Sequence, residues 1–153
     1  MYVHSWMHLI RYDQADPNLC QGNHNFLGSN SSSSFNDTQQ PFHVNYGTGN
    51  VTGTIITDNV VIGNFSLPGH TFGVADTESV QFASNSVPLD GLMGVAQSVL
   101  SQEQTLTPIE SLQQAGLVDK AILGYRIPRL ADGLKDGEIT FGSVIAFEQP
   151  FCY

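Results

Sequence analysis

The stretch Phe42–Ile62, FHVNYGTGNVTGTIITDNVVI, decides how the chain is read. Phe42, Val44 and Tyr46 alternate with His43 and Asn45, the period of a strand with one buried face. Val51 to Val61 is rich in Val, Ile and Thr, which suit a pleated, half-buried surface. Between the two runs stands Tyr46-Gly47-Thr48-Gly49-Asn50, whose glycines and asparagine tolerate the positive φ of a tight hairpin. Tyr46 is therefore expected at a hairpin tip, where an aromatic ring has little core to fill. It either caps a sheet edge or lies on a mobile flap that places its ring over a ligand.

Outward from this hairpin the composition is that of a β-rich domain. The chain has 153 residues, enough for a core of its own, with 41% hydrophobic and only 12% charged residues. Few charges, 15 glycines and abundant Ser, Thr, Asn and Gln suit an extracellular protein rather than a disordered one. Five basic residues against a net charge of -9 give no electrostatic footprint for nucleic acid or an anionic membrane. A sequence pI of about 4.6 suits acid conditions, where protonation relieves self-repulsion. No apolar run approaches the roughly 20 residues of a membrane span.

Further blocks follow in order. Pro88-Leu89-Asp90-Gly91-Leu92-Met93-Gly94-Val95 and Gly137-Glu138-Ile139-Thr140-Phe141-Gly142 lie after the hairpin; Cys20, His24, Phe26 and the serine run Ser31–Ser34 with Phe35 lie before it. With Tyr46-Gly47-Thr48-Gly49, these blocks resemble the amino-terminal lobe of the pepsin-like aspartic proteases, over roughly residues 20–143. Each block is weak alone; their ordered set is fairly specific. The resemblance implies a mainly β fold over 1–153: one incomplete lobe of antiparallel β-sheets with a flap hairpin and one or two short helices. Residues 1–19 and 144–153 have no counterpart in it. It also implies an endopeptidase of extended peptides or proteins, without a cofactor. Tyr46, Gly47 and Thr48 become the substrate-binding flap, and Phe82, Leu89 and Leu92 border a substrate pocket. Phe82 reads equally well as a loop aromatic packed on the sheet.

The departures from that family matter as much. Its catalytic aspartates stand in Asp-Thr-Gly or Asp-Ser-Gly turns, one per lobe, and neither tripeptide occurs here. Asp37-Thr38 runs into Gln39, and Asp76-Thr77 into Glu78. No catalytic residue is therefore assigned, and the chain is expected to be inactive alone. The family's dyad needs two lobes, so a missing second lobe or a homodimer is the expected partner, although a dimer of this chain would still lack the Asp-Thr-Gly loop and have no dyad. The alternative is a non-enzymatic peptide-binding or interaction module on the same scaffold. Asp90, the sole acid in an apolar run, could have a raised pKa and so be catalytic; the resemblance makes it a structural residue instead. There is no Gly-x-Ser-x-Gly elbow, His-Glu-x-x-His pair or phosphate-binding glycine loop.

Asn30, Asn36, Asn50 and Asn64 head Asn-x-Ser/Thr acceptors. With the composition they favour a secreted, extracellular or vacuolar protein, although Met1–Ile10 lacks the basic start and apolar stretch of a signal peptide. A secreted-type body with that start suggests a fragment or an abnormal gene model. Cys20 and Cys152 permit at most one intrachain disulfide. The resemblance pairs a cysteine near Cys20 with a local partner that this chain lacks, so a free thiol is the alternative.

The remaining segments read as follows. Met1–Asp16 is a strand or a short helix. On a helix, His4 and His8 would share a face, but no third metal ligand lies at suitable spacing, so no metal is assigned. Pro17–Gln40 reads as loop with at most one short strand near Phe35. Gly63-Asn64 and Pro68-Gly69 read as turns, Glu78–Val87 as a loop, and Leu89–Gly94 as a buried strand. Thr107-Pro108-Ile109-Glu110 has the form of a capping box, opening a helix that Gly116 ends. Ala121–Ile127 and Glu138–Phe141 read as strands.

Overall fold

The structure, a computed structural model, describes residues 10–12, 25–84, 86, 90–101 and 103–144. The chain forms two compact units, Met1–Thr107 and Pro108–Tyr153.

The first unit is built on a five-stranded sheet. Its strands are β1 (Ile10–Tyr12), β2 (Phe26–Leu27), β3 (Asn36–Asn45), β4 (Asn50–Ile62) and β5 (Phe65–Glu78), in the order β2-β1-β5-β4-β3. The long strands β3, β4 and β5 pair antiparallel, whereas β1 joins β5 and β2 in parallel. Residues on β4 explain why its sequence is a run of Val, Ile and Thr rather than a clean alternation. Val51 and Ile55 enter one buried cluster with Phe42, Val44 and Ala75; Ile56 enters a second with Phe72 and Val74. Adjacent strand residues point to opposite faces, so both faces of the sheet are covered. Full burial of Ile56 or Phe72 contributes about 1.5–3 kcal/mol each.

Two glycines shape this sheet. Gly53 sits at a register shift in the β4–β5 ladder, and a Cβ there would come within 2.8 Å of the Val74 carbonyl carbon. Only a bare backbone allows that approach. Gly63, at φ +57, forms with Asn64 the two-residue turn between Ile62 and Phe65, as the sequence suggests.

Four segments differ from the sequence reading. β3 already begins at Asn36, in what reads as loop. Polar residues of low β-propensity are held there by pairing with β4 and by a bulge. In that bulge Gln39 has φ 59, its N–H donates to Asp37 Oδ1 at 2.7 Å, and Thr38 Oγ1 donates to the Ile55 carbonyl at 2.5 Å. Pro68-Gly69 is no turn but part of a continuous β5: Gly69, at φ +62, lies in a bulge and donates to Asn59 Oδ1 at 3.0 Å. A one-turn helix, α1 (Val80–Ala83), occupies the expected loop after Glu78. Asp90–Val95 is irregular rather than a strand, because none of the sheet edges pairs with it. Its glycines, Gly91 and Gly94, weaken strand formation despite the apolar content.

The serine run has a structural use. Asp58 is buried, and its Oδ1 accepts from Ser32 Oγ at 2.9 Å, from Ser34 Oγ and from the Asn59 N–H at 2.7 Å. These donors satisfy a carboxylate that would otherwise be costly to bury.

The second unit holds the helix α2 (Pro108–Gln114) and the antiparallel pair β6 (Leu123–Arg126) and β7 (Glu138–Phe141). Pro108 takes the first helical position, as expected. Gly116, at φ +69, closes the helix: its N–H donates to Gln113, and the Leu117 N–H donates to Leu112, both at 2.9 Å. This is the paired Schellman pattern that the Ala115-Gly116 sequence favours. Ile109 and Leu112 form the buried side of α2. Among the described residues no helix is long and apolar enough to cross a membrane.

Candidate functional site

The site grows out of the β3–β4 hairpin. Asn45 pairs with Asn50, and the Tyr46 N–H donates to the Gly49 carbonyl at 2.7 Å, closing the tip. Gly47 and Thr48 are exposed at its end, and no atom stands within 4 Å of where a Gly47 Cβ would be. Tyr46 is half-buried, with its ring turned down onto the cluster of Phe42, Val44, Val51, Ile55 and Ala75.

Phe82 and Leu92 pack against the same cluster. Phe82 reaches it because Ser79 ties the end of β5 to Asn50, beside the hairpin tip. The Ser79 N–H donates to the Asn50 carbonyl at 3.0 Å, and Ser79 Oγ accepts from the Asn50 N–H at 3.1 Å. The Ser79 carbonyl then accepts from the Phe82 N–H at 2.9 Å, starting α1. The Tyr46 and Phe82 rings lie 5.0 Å apart, tilted by 60°, a favourable arrangement of two aromatic quadrupoles. Gly49 leaves room for that contact: a Cβ there would sit 3.1 Å from Phe82 Cε2. Of the residues assigned to the flap and pocket, the structure thus brings Tyr46, Phe82 and Leu92 together. Leu89 lies outside the described residues.

One residue of this neighbourhood was not singled out from the sequence. Glu103 is only 6% exposed, and its Oε1 has no hydrogen-bond partner among the described residues. A Cβ at Gly73 would meet Phe42 Cε1 at 2.7 Å and Glu103 Oε1 at 2.9 Å, so the carboxyl lies over Gly73 at the edge of the Phe42 ring. Burial pushes the Glu103 carboxyl up to about 8. Burial, and secondarily the Glu103 charge, push the Tyr46 phenol up to about 12. Both groups are therefore neutral at pH 7. In sequence, Ser101-Gln102-Glu103-Gln104 is a polar run with no mark of burial; the gap that Gly73 leaves on a distant strand creates it.

The other candidates are placed as follows. Asp90 Oδ2 accepts from Asn25 Nδ2 at 2.6 Å, which ties two irregular segments together. Asn30, Asn50 and Asn64 are exposed, as is Asn36, whose Nδ2 donates to Thr57 Oγ1 at 3.3 Å. Buried His70 stacks on Phe72 at 6.2 Å, and burial lowers its pKa. His4, His8, Cys20 and Cys152 lie outside the described residues, and no cluster of three metal ligands occurs among those described.

Comparison with known proteins places this geometry in context. A family model described as eukaryotic aspartyl protease matches residues 6–146, a span that contains the resemblance read at 20–143. A probable aspartic-type endopeptidase CTSD of Arthroderma otae is 37% identical over 123 residues, covering 80% of this chain and 32% of that protein. The aspartic-type endopeptidase ctsD of Aspergillus fumigatus is 32% identical over 125 residues, covering 82% and 26%. Pepsin A of the dog, Canis lupus familiaris, is 27% identical over 122 residues, covering 80% and 31%. The matched region is thus about a third or less of each relative's length.

Proposed function

The chain belongs to the eukaryotic aspartyl protease family, and on that premise we propose that its hairpin and pocket form the flap side of a peptide-binding cleft. The observation that supports this reading is the convergence of Tyr46, Phe82 and Leu92 on one apolar cluster beneath a hairpin tip. An extended peptide lying under the tip would set apolar side chains against these rings while its backbone pairs with hairpin groups.

The reaction of such a cleft is aspartic-type hydrolysis of internal peptide bonds. It needs two carboxylates that share a proton: the ionised one takes a proton from water, and the protonated one polarises the scissile carbonyl. These 153 residues hold neither an Asp-Thr-Gly nor an Asp-Ser-Gly turn. The acids nearest to that pattern serve other ends: Asp37 lies in the β3 bulge, and Asp76 accepts from Thr54 Oγ1 at 3.5 Å. We therefore assign peptide binding to this chain, and cleavage to an assembly whose other parts supply both aspartates, since a second copy of these residues adds no Asp-Thr-Gly or Asp-Ser-Gly turn.

Exposed Asn30, Asn50 and Asn64 and the low charge content support a secretory route. An endoglycosidase-sensitive mass shift in secreted material checks that route, and unmodified asparagines contradict glycosylation.

Anisotropy titration of a labelled, extended apolar peptide tests the binding. The expected result is saturable binding, weakened about tenfold in Tyr46→Ala through loss of the aromatic contact. No saturable binding to the folded chain contradicts the reading.

A further inference from the structure

We propose that Glu103 and the aromatic cluster of Phe42 beside it form a subsite for an alkylammonium group, the side chain of a lysine in a bound extended peptide. This rests on the reading of the hairpin as a peptide-binding flap. Two linked contacts place the carboxyl beside the cluster under the hairpin, and one electrostatic effect agrees with them. The carboxyl overlies Gly73 beside the ring of Phe42; Phe42 belongs to the cluster that receives Tyr46 and Phe82; and the Glu103 charge acts on the Tyr46 phenol.

The chemistry follows from what this carboxyl lacks. It is 94% buried, and one oxygen finds no hydrogen-bond partner among the described residues. A carboxyl in such a place is stable only when protonated or when paired with a cation. The free pocket takes the first form. A lysine side chain offers the second and matches the surroundings. Its methylene stem lies on apolar surface, and its ammonium carries donors for the vacant oxygen. The Phe42 ring beside the carboxyl, in the cluster on which Tyr46 and Phe82 pack, adds aromatic surface that attracts a cation. A leucine in the same position would satisfy the rings and leave the oxygen unpaired. Access requires Tyr46 to lift; Gly47 beside it is exposed, with nothing within 4 Å of its Cβ position.

Pairing has a proton signature. The ammonium stays protonated, the carboxyl gives up its proton to the buffer, and the ion pair forms; Tyr46, the titratable group coupled to Glu103, stays neutral.

The test uses two extended apolar peptides, identical except for leucine or lysine at the central position. They are titrated calorimetrically into the chain and into Glu103→Gln at pH 6.5, in buffers of different ionisation heat. The chain is expected to favour the lysine peptide about tenfold over its Glu103→Gln variant, with release of close to one proton for lysine and none for leucine. The net charge of -9 attracts any basic peptide to both proteins, so the difference between them is the readout. Leucine-peptide binding with an unchanged lysine preference in Glu103→Gln overturns the subsite alone. Lysine binding to the unmodified chain without proton release does the same, and needs no variant to fold. Binding of neither peptide overturns the flap reading together with the subsite.

Discussion

Tyr46 and Phe82 meet at 5.0 Å although one stands at a hairpin tip and the other on a one-turn helix after β5. Ser79 makes the meeting possible. Its backbone and hydroxyl both hydrogen-bond to Asn50, the first residue of β4, and its carbonyl starts the turn that carries Phe82. The hairpin is thus tied to α1 at Asn50, directly beside its tip, while Gly47 and Thr48 stay exposed.

Removing the hydroxyl should loosen that coupling without unfolding the sheet. Ser79→Ala leaves the Asn50 N–H without its acceptor, at a cost of about 1 kcal/mol. Hydrogen exchange is expected to show faster exchange at Asn50 and at Tyr46, with β5 unchanged. Unaltered exchange at Asn50 would contradict the role given to Ser79.

Gly73 should tolerate no side chain. A Cβ there meets the Phe42 ring at 2.7 Å and Glu103 Oε1 at 2.9 Å, so both must shift. Gly73→Ala is expected to lose about 1–3 kcal/mol through overpacking. That corresponds to a fall in Tm of roughly 2–4 °C per kcal/mol for a chain of this size. A thermal melt checks this, and an unchanged Tm would mean that Glu103 does not lie over Gly73.

Glu103 should also make stability depend on pH in a definite direction. Its folded pKa, about 8, lies above the ordinary 4.5, so between these values the folded chain holds a proton that the unfolded chain has released. Stability therefore falls as pH rises through this window and is flat, for this group, below it. Melts at pH 5 and pH 8 are expected to show a larger drop for the unmodified chain than for Glu103→Gln, with a difference on the order of a few kcal/mol. Equal drops would show that the carboxyl is not buried. Comparison with the variant separates this effect from the general repulsion of an acidic chain.

The hairpin was legible because local chemistry decides it. Tyr46-Gly47-Thr48-Gly49 between β-branched runs leaves a hairpin as the natural outcome, and Gly63-Asn64 fixes the next turn. The helix α2 was legible for the same reason, with its start at Pro108 and its stop at Gly116. Bulges were not. Gln39 and Gly69 sit in continuous strands because neighbouring strands hold them there, and a turn-like dipeptide such as Pro68-Gly69 cannot announce that. The run ending at Gly94 misled twice: its described residues, Asp90–Gly94, are irregular and only partly buried, because apolar content alone fixes neither backbone form nor depth. Glu103 was hidden for a third reason: its burial depends on the missing side chain of Gly73, far from it in the chain.

The central claim is that these residues bind a peptide under a flap and do not cut it unaided. The most direct measurement incubates the folded chain with a denatured protein substrate from pH 3 to 7, with and without pepstatin. The account predicts no pepstatin-sensitive cleavage at any pH. Cleavage that pepstatin blocks would contradict it, because a working pair of carboxylates would then have formed from acids assigned here to a bulge, a strand and a loop tie: Asp37, Asp76 and Asp90.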